Sequence, residues 1–279
     1  MGAKQTPGMT GNKLTKEERR SAAREKARLL REQEEKRARR NRILLIFGVL
    51  AALLLVGLVI FKIVSSGNAN DTGSYDGKAR SAELQNVQAD FGIAVGKDGA
   101  ALAAPVADVP QVGVYADLMC PHCVQLEHDS KDAYEKFMPT GKVGVVHYPV
   151  EIMNTDYAKY GTAALLYVAT YAPESYTKFH TELFDYAYKI IVERSAQMPT
   201  AAKIADMAKA AGVPADIVND LPASITSEAW QKHVQAATEK FREAGWKGTP
   251  TVTVNGTETN AWGNGGMKAV FAEALGAAK

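Results

Sequence analysis

Two cysteines stand three residues apart, as Cys120-Pro121-His122-Cys123, and the chain of 279 residues has no others. Thiols at that spacing can close a disulfide across one turn of chain, so the chemistry within reach is thiol–disulfide exchange. The attacking species in that exchange is a thiolate, and the sequence favours one at Cys120. Val112–Leu118 is a short apolar run with β-branched residues and reads as a buried strand. Helical spacing begins at Pro121 (Cys123, Leu126, Ser130, Ala133, Phe137). Cys120 therefore stands at a helix N-terminus, beside free N–H groups and the positive end of the dipole. Pro121 suits the first helical turn. His122, as imidazolium or as a donor, can favour the anion further. Lowering a thiol from about 8.5 to about 4–7 is worth roughly 2–6 kcal/mol for the reduced, ionised form, which makes the disulfide a better oxidant. Cys123 is expected to be more buried and less acidic, and to complete or resolve the disulfide. It needs a proton acceptor. Glu127 shares its helix face four residues on, and a half-buried carboxylate there could relay the proton. Asp117, three residues before Cys120, is a second candidate. An ordinary hydrogen-bonded or solvated carboxylate is the alternative for both.

Other readings of the pair fit less well. Structural zinc needs four ligands, there is no second C-x-x-C, and His128 follows Cys123 at a poor ligand spacing, so no metal is expected. Haem attachment needs a histidine where Val124 stands. An inert disulfide closing so short a loop gains little stability. His147, His180 and His233 read as isolated core or solvated histidines. The aromatics from Tyr157 to Tyr188 recur at helical spacing and read as core.

A second constellation is Gly248-Thr249-Pro250-Thr251, ahead of the short strand Thr251–Val254. A proline at the head of a strand sits at an edge or in a special turn. Leu118–Cys123 together with Gly248–Gly256 resembles the DsbA-like branch of the thioredoxin superfamily, in particular its single-pass, membrane-anchored members, over roughly residues 85–279. The resemblance implies a thioredoxin sheet with an inserted helical domain. It implies an exposed nucleophile at Cys120, its partner at Cys123, a cis proline at Pro250 lying against the disulfide, a Thr249 backbone that pairs with extended substrate, and an acid at Glu127. It implies no cofactor beyond the redox-active disulfide. Its partners would be exported proteins bearing thiols, and a membrane re-oxidising protein of the DsbB or VKOR-like type. Two departures stand out. Val114 occupies the strand position where DsbA carries an acid, and Thr249 before the proline resembles the disulfide isomerases more than DsbA.

The elements that must position these residues follow in order. Phe91–Val95 is a possible first strand, residues 100–110 a loop, and one helix runs from Pro121 until Pro139 and Gly141 end it. Val143–Val150 is the next strand. Residues 156–192 and 198–244 read as mostly helical, with breaks at Pro173, Pro199, Gly212–Pro214 and Pro222. Asn255-Gly256 turns Thr251–Val254 back toward Glu258–Trp262, and Met267–Leu275 closes as a helix. The fold class is α/β, a thioredoxin-like mixed sheet with a helical insertion at about 155–244.

Charge is segregated along the chain. Residues 1–42 hold 14 Lys/Arg against 6 Asp/Glu, whereas the remainder holds 19 against 25. The basic segment includes a capping-box spacing, Thr15 to Glu18, and reads as a partly helical, solvated flank. It runs into Ile43–Val64, whose first nineteen residues, Ile43 to Phe61, carry no charge. As a helix this stretch would span about 33 Å, enough to cross a bilayer. Arg39, Arg40 and Arg42 flank it, so residues 1–42 are expected in the cytoplasm and the rest outside. A cleaved signal peptide would have a far shorter charged region. Residues 65–84 read as a polar, flexible linker. The basic balance is thus assigned to the lipid bilayer and not to nucleic acid.

The reading is an extracytoplasmic dithiol oxidase donating the Cys120–Cys123 disulfide. Three alternatives stay open: a reductase or isomerase fed by a membrane thiol donor, a non-redox client-binding protein using the groove near Pro250, and a scaffold acting through residues 1–42.

Overall fold

The computed structural model describes residues 74–276. The basic segment 1–42, the apolar segment 43–64 and the linker as far as residue 73 lie outside the described residues. Among those described, no helix is long and apolar enough to cross a membrane.

A six-stranded sheet carries the site. Its strands are β1 (Ile93–Val95), β2 (Ala101–Leu102), β3 (Gln111–Ala116), β4 (Gly144–Pro149), β5 (Thr251–Val254) and β6 (Thr257–Glu258), in the order β2-β1-β4-β3-β5-β6. Only β3 and β4 run parallel, and every other pair is antiparallel. The period-2 alternation of β3 turns Val112 and Val114 to the core, beside Val145 and His147 of β4 and Val254 and Val252 of β5. Gly113 and Tyr115 take the other face, where Tyr115 and Tyr148 stack at 4.1 Å. A Cβ at Gly113 would meet the Thr253 hydroxyl at 2.6 Å, so no side chain fits under those rings.

The helices are α1 (Pro121–Asp129), α2 (Lys131–Phe137), α3 (Asp156–Tyr171), α4 (Tyr176–Ile191), α5 (Ala201–Ala210), α6 (Ala215–Ile225), α7 (Glu228–Glu243) and α8 (Gly266–Gly276). Thr155 and Thr200 cap α3 and α5 by accepting from Ala158 N–H and Lys203 N–H. The insertion is held by the aromatics expected as core: Tyr157, Tyr167 and Phe179 are fully buried. Burying a tyrosine hydroxyl is costly without a partner, and each finds one. Tyr157 donates to Leu183 O at 2.7 Å, and Tyr167 to Ile217 O at 2.9 Å.

Four local expectations are corrected. The loop expected over 100–110 contains β2, two residues that pair with Ala94 and Val95. The single helix expected from Pro121 breaks at Ser130, whose φ of −102° and ψ of 2° leave the helical region. Pro222 does not end α6. It sits in the last turn, where it forfeits one ladder bond, and the chain leaves the helix after Ile225. Lastly, the polar stretch up to residue 84 is docked from Tyr75 onward. Tyr75 donates to Asp206, Arg80 pairs with Asp216 and Asp220, and Trp230 and His233 bond the carbonyls of Arg80 and Ala82.

One packing contact ties the insertion to the loop between β3 and α1. A Cβ built at Gly161 of α3 would collide with Leu118 Cδ1, and Leu118 lies two residues before Cys120. Gly161→Ala is expected to destabilise the fold by about 1–3 kcal/mol through overpacking. Urea unfolding checks this. An unchanged midpoint would mean that Leu118 repacks freely.

Candidate active site

Strand β3 ends at Ala116, the chain crosses Asp117–Met119, and α1 starts at Pro121 with Cys120 as its N-cap. The cap residue is extended (φ −78°, ψ 118°), with its amide on Asp117 O at 3.1 Å and its carbonyl taking Val124 N–H at 3.0 Å. The Cys120 side chain thus occupies the place where a serine or aspartate would accept helix N–H groups. No acidic residue stands in the first turn to oppose negative charge there.

Across from α1, the Thr249–Pro250 peptide is cis, as the resemblance implied. The Cys120 thiol donates to Thr249 O at 3.1 Å, so residues 129 apart in sequence meet. The Thr249 hydroxyl is buried with no hydrogen-bond partner. It stands beside both sulfurs, placed to donate to either one as a thiolate.

The two thiols are free and differ sharply. Cys120 is lowered to about 6, first by the hydrogen bond from Cys123, then by Thr249 and the backbone N–H groups of Cys123 and His122, against the opposing effect of burial. Cys123 is raised well above the ordinary thiol range, by burial and then by the neighbouring Cys120. Hydrogen bonding thus favours an anion at Cys120, and burial disfavours one at Cys123, in the sense the sequence led us to expect. Two details differ. Cys120 was expected to be exposed, yet it is 5% exposed because Thr249 closes over it. His122 was expected to act through its ring, but the ring points to solvent and the His122 backbone N–H makes the contribution.

Asp117 is fully buried and accepts three backbone N–H groups: Met119 at 2.7 Å, Ile152 at 2.6 Å and Met153 at 2.9 Å. Burial raises its carboxyl despite those donors. It splices the loop before Cys120 to the loop after β4, which is the work of a staple, so the relay expectation gives way to a positioning one.

Glu127 is more deeply buried than the half-buried carboxylate anticipated, at 7% exposure. Its one hydrogen bond is a long one from the Tyr134 hydroxyl, 3.3 Å. Burial pushes it up to about 7. Around it stand residues that the sequence had left isolated. His147 and His180 stack at 4.2 Å, and Tyr176 meets His147 Nδ1 at 3.4 Å. The period of β4 points His147 inward with Val145, but its partner comes from α4, a contact no local pattern encodes. Among the described residues no group of three or more His, Cys, Asp or Glu is arranged to hold a metal ion.

Comparison with known proteins places this arrangement. A family model described as thioredoxin matches residues 101–268. No curated protein matches by sequence. Among solved structures, the thiol–disulfide oxidoreductase MdbA from Actinomyces oris is 22% identical, with a TM-score of 0.61 over 71% of this chain and 93% of that one. BdbD from Bacillus subtilis is 18% identical, with a TM-score of 0.55 over 71% and 98%. MdbA from Corynebacterium diphtheriae is 20% identical, with a TM-score of 0.53 over 74% and 97%. With its site strand, C-x-x-C helix and cis-proline loop in one thioredoxin sheet, the chain belongs to the thioredoxin family and has the fold of its DsbA-like thiol–disulfide oxidoreductases.

Proposed function

We propose that the protein is a thiol–disulfide oxidoreductase that donates the Cys120–Cys123 disulfide to exported proteins outside the cytoplasm, tethered by residues 43–64. The observation that carries this is the split between the two thiols across one helical turn. A substrate thiolate attacks Cys120 Sγ, and the Cys120–Cys123 bond breaks with its electron pair on Cys123. The second substrate thiolate then attacks the substrate sulfur of the mixed disulfide and expels Cys120. A thiolate that titrates at about 6 is a good leaving group at neutral pH, which favours product release. The same acidity stabilises the reduced enzyme. The contribution grows upward from about pH 6, amounts to roughly 1–2 kcal/mol at pH 7, and is lost as pH falls through about 6.

Cys123 leaves as a poor thiolate and needs a proton, which Glu127 is buried and poised to supply. Thr249 offers its backbone to the substrate chain beside Pro250, and Pro121 and His122 shape the helix start. No cofactor beyond the disulfide is invoked. Re-oxidation falls to a membrane partner of the DsbB or VKOR-like type.

The test is an equilibrium titration of the protein in glutathione redox buffers, with thiols trapped and counted. A potential near or above about −150 mV is expected. A value near about −250 mV or below would overturn the oxidase reading in favour of a reductase or isomerase, the direction that Thr249 resembles. Absence of cycling would reject redox chemistry altogether and leave client binding.

A further inference from the structure

Glu127 has a way out that does not pass the cysteines. It lines the floor of an open cavity of about 430 Å³ between α1, α2, α4 and the β1–β2 turn. A second, inner cavity of about 10 Å³ touches Glu127, His147 and His180 on the sheet side, close to the room that one water needs. His147 lines both cavities, is buried, and has an Nε2 with no hydrogen-bond partner, while its Nδ1 is taken by Tyr176. A buried ring nitrogen left without a partner is costly unless water meets it.

We propose that His147 is a positioning residue for proton exchange at Glu127: its Nε2 holds the water through which that carboxyl trades protons with solvent by way of the large cavity. The inference rests on the Cys120–Cys123 exchange proposed above. When Cys123 leaves as a thiolate it takes a proton from Glu127, and the carboxylate regains one from the water, which is replenished from bulk. When the disulfide reforms, the same proton travels outward. No electrons move along this route.

The surroundings fit a conduit in which Glu127 is the group that titrates. Burial holds His147 at about 4 and His180 well below its usual range, so both rings stay neutral where Glu127, at about 7, gains and loses its proton. Tyr134 and Tyr176 are pushed far up by burial and remain protonated. Charged groups gather only at the rim. Helix α2 brings Lys131 and Glu135. Helix α4 brings Lys178, Glu182 and Asp185, with Lys131 paired to Asp185. The β1–β2 turn brings Lys97 and Asp98. On α1 itself, His128 is turned away and stacks on Tyr188 at 3.8 Å.

The experiment uses the full chain in detergent. The reduced protein is mixed with oxidised glutathione, and closure of the Cys120–Cys123 disulfide is followed by thiol trapping across pH. Alkylation of Cys120 is read in parallel. The wild-type closure rate is expected to rise with a midpoint near Glu127's value of about 7. His147→Leu should slow closure about tenfold or more and remove that step, with the alkylation profile of Cys120 unchanged. His147→Gln, which can still hold a water, should recover most of the rate. Thr181→Trp narrows the outer cavity while leaving residue 147 a histidine and should slow closure in the same way, which decides the matter if His147→Leu does not fold. Wild-type rates and pH profiles in both His147→Leu and Thr181→Trp would overturn the inference. A wild-type chain that never closes its disulfide would instead reject the exchange reading on which it rests.

Discussion

Asp117→Ala is expected to cost at least about 3 kcal/mol, and to disorder the start of α1 even in the fraction that folds. The carboxylate is fully buried and takes the N–H groups of Met119, Ile152 and Met153. Alanine leaves three amides facing no acceptor, and each buried unsatisfied donor costs about 1–3 kcal/mol. One effect runs the other way: burial raises the Asp117 carboxyl, so deleting it also removes a desolvation penalty. Three lost bonds outweigh that penalty only if no water reaches the gap, and no solvent does in the intact site. Urea unfolding gives the cost, and alkylation of Cys120 gives the functional part. The Cys120 amide rests on Asp117 O, so a shifted loop should move the thiol away from its low value. A loss below about 1 kcal/mol would show that the amides find other acceptors, and Asp117 would then be no staple.

What the sequence disclosed and what it withheld divide along contact range. Val112–Leu118 and Val143–Val150 were legible because alternation in a strand is written in neighbouring residues, and Cys120 at the strand-to-helix switch followed from the change of period. Thr249 over Cys120 was legible only through resemblance, since 129 residues separate them. The Glu127–His147–His180 cluster was not legible at all. Each residue lies on a different element, and a histidine at an inward strand position looks the same whether it ends against an apolar wall or a cavity. The docking of residues 75–85 was hidden for another reason. They continue the Ser-, Gly- and Asn-rich stretch 65–80, whose composition is that of a free linker, and contacts to residues more than 130 positions away, such as Tyr75 to Asp206 and Arg80 to Asp216 and Asp220, convert them to a strap. Ser130 escaped notice because its place in the helical repeat was regular, although its side chain serves another helix by accepting Met267 N–H at 3.1 Å.

Glu127→Gln is expected to stabilise the protein by up to about 3 kcal/mol at alkaline pH and to slow its turnover at the same time. Burial raises this carboxyl from 4.5 to about 7, which corresponds to roughly 3 kcal/mol against the ionised form. Below about pH 4.5 the carboxyl is protonated whether the chain is folded or not, so glutamine brings no advantage from charge. Between about 4.5 and 7 the unfolded chain ionises and the folded one does not, so native stability falls as pH rises. Above about 7 both forms are ionised and the penalty stays at its maximum. Glutamine carries no such penalty and keeps an oxygen for the Tyr134 hydroxyl. His147 and His180 titrate in the opposite sense, weakening the fold as pH falls below about 6.5, but they are present in both proteins and cancel in the difference. Urea midpoints for the two proteins should therefore coincide near pH 4 and separate steadily up to about pH 7. Turnover should fall by about a hundredfold if Glu127 is the acid that protonates Cys123. A stability difference that does not vary with pH would mean that water reaches the carboxyl freely. A stability gain with turnover unchanged would leave Glu127 a buried acid without a part in the exchange, and the proton on Cys123 would have to come from elsewhere.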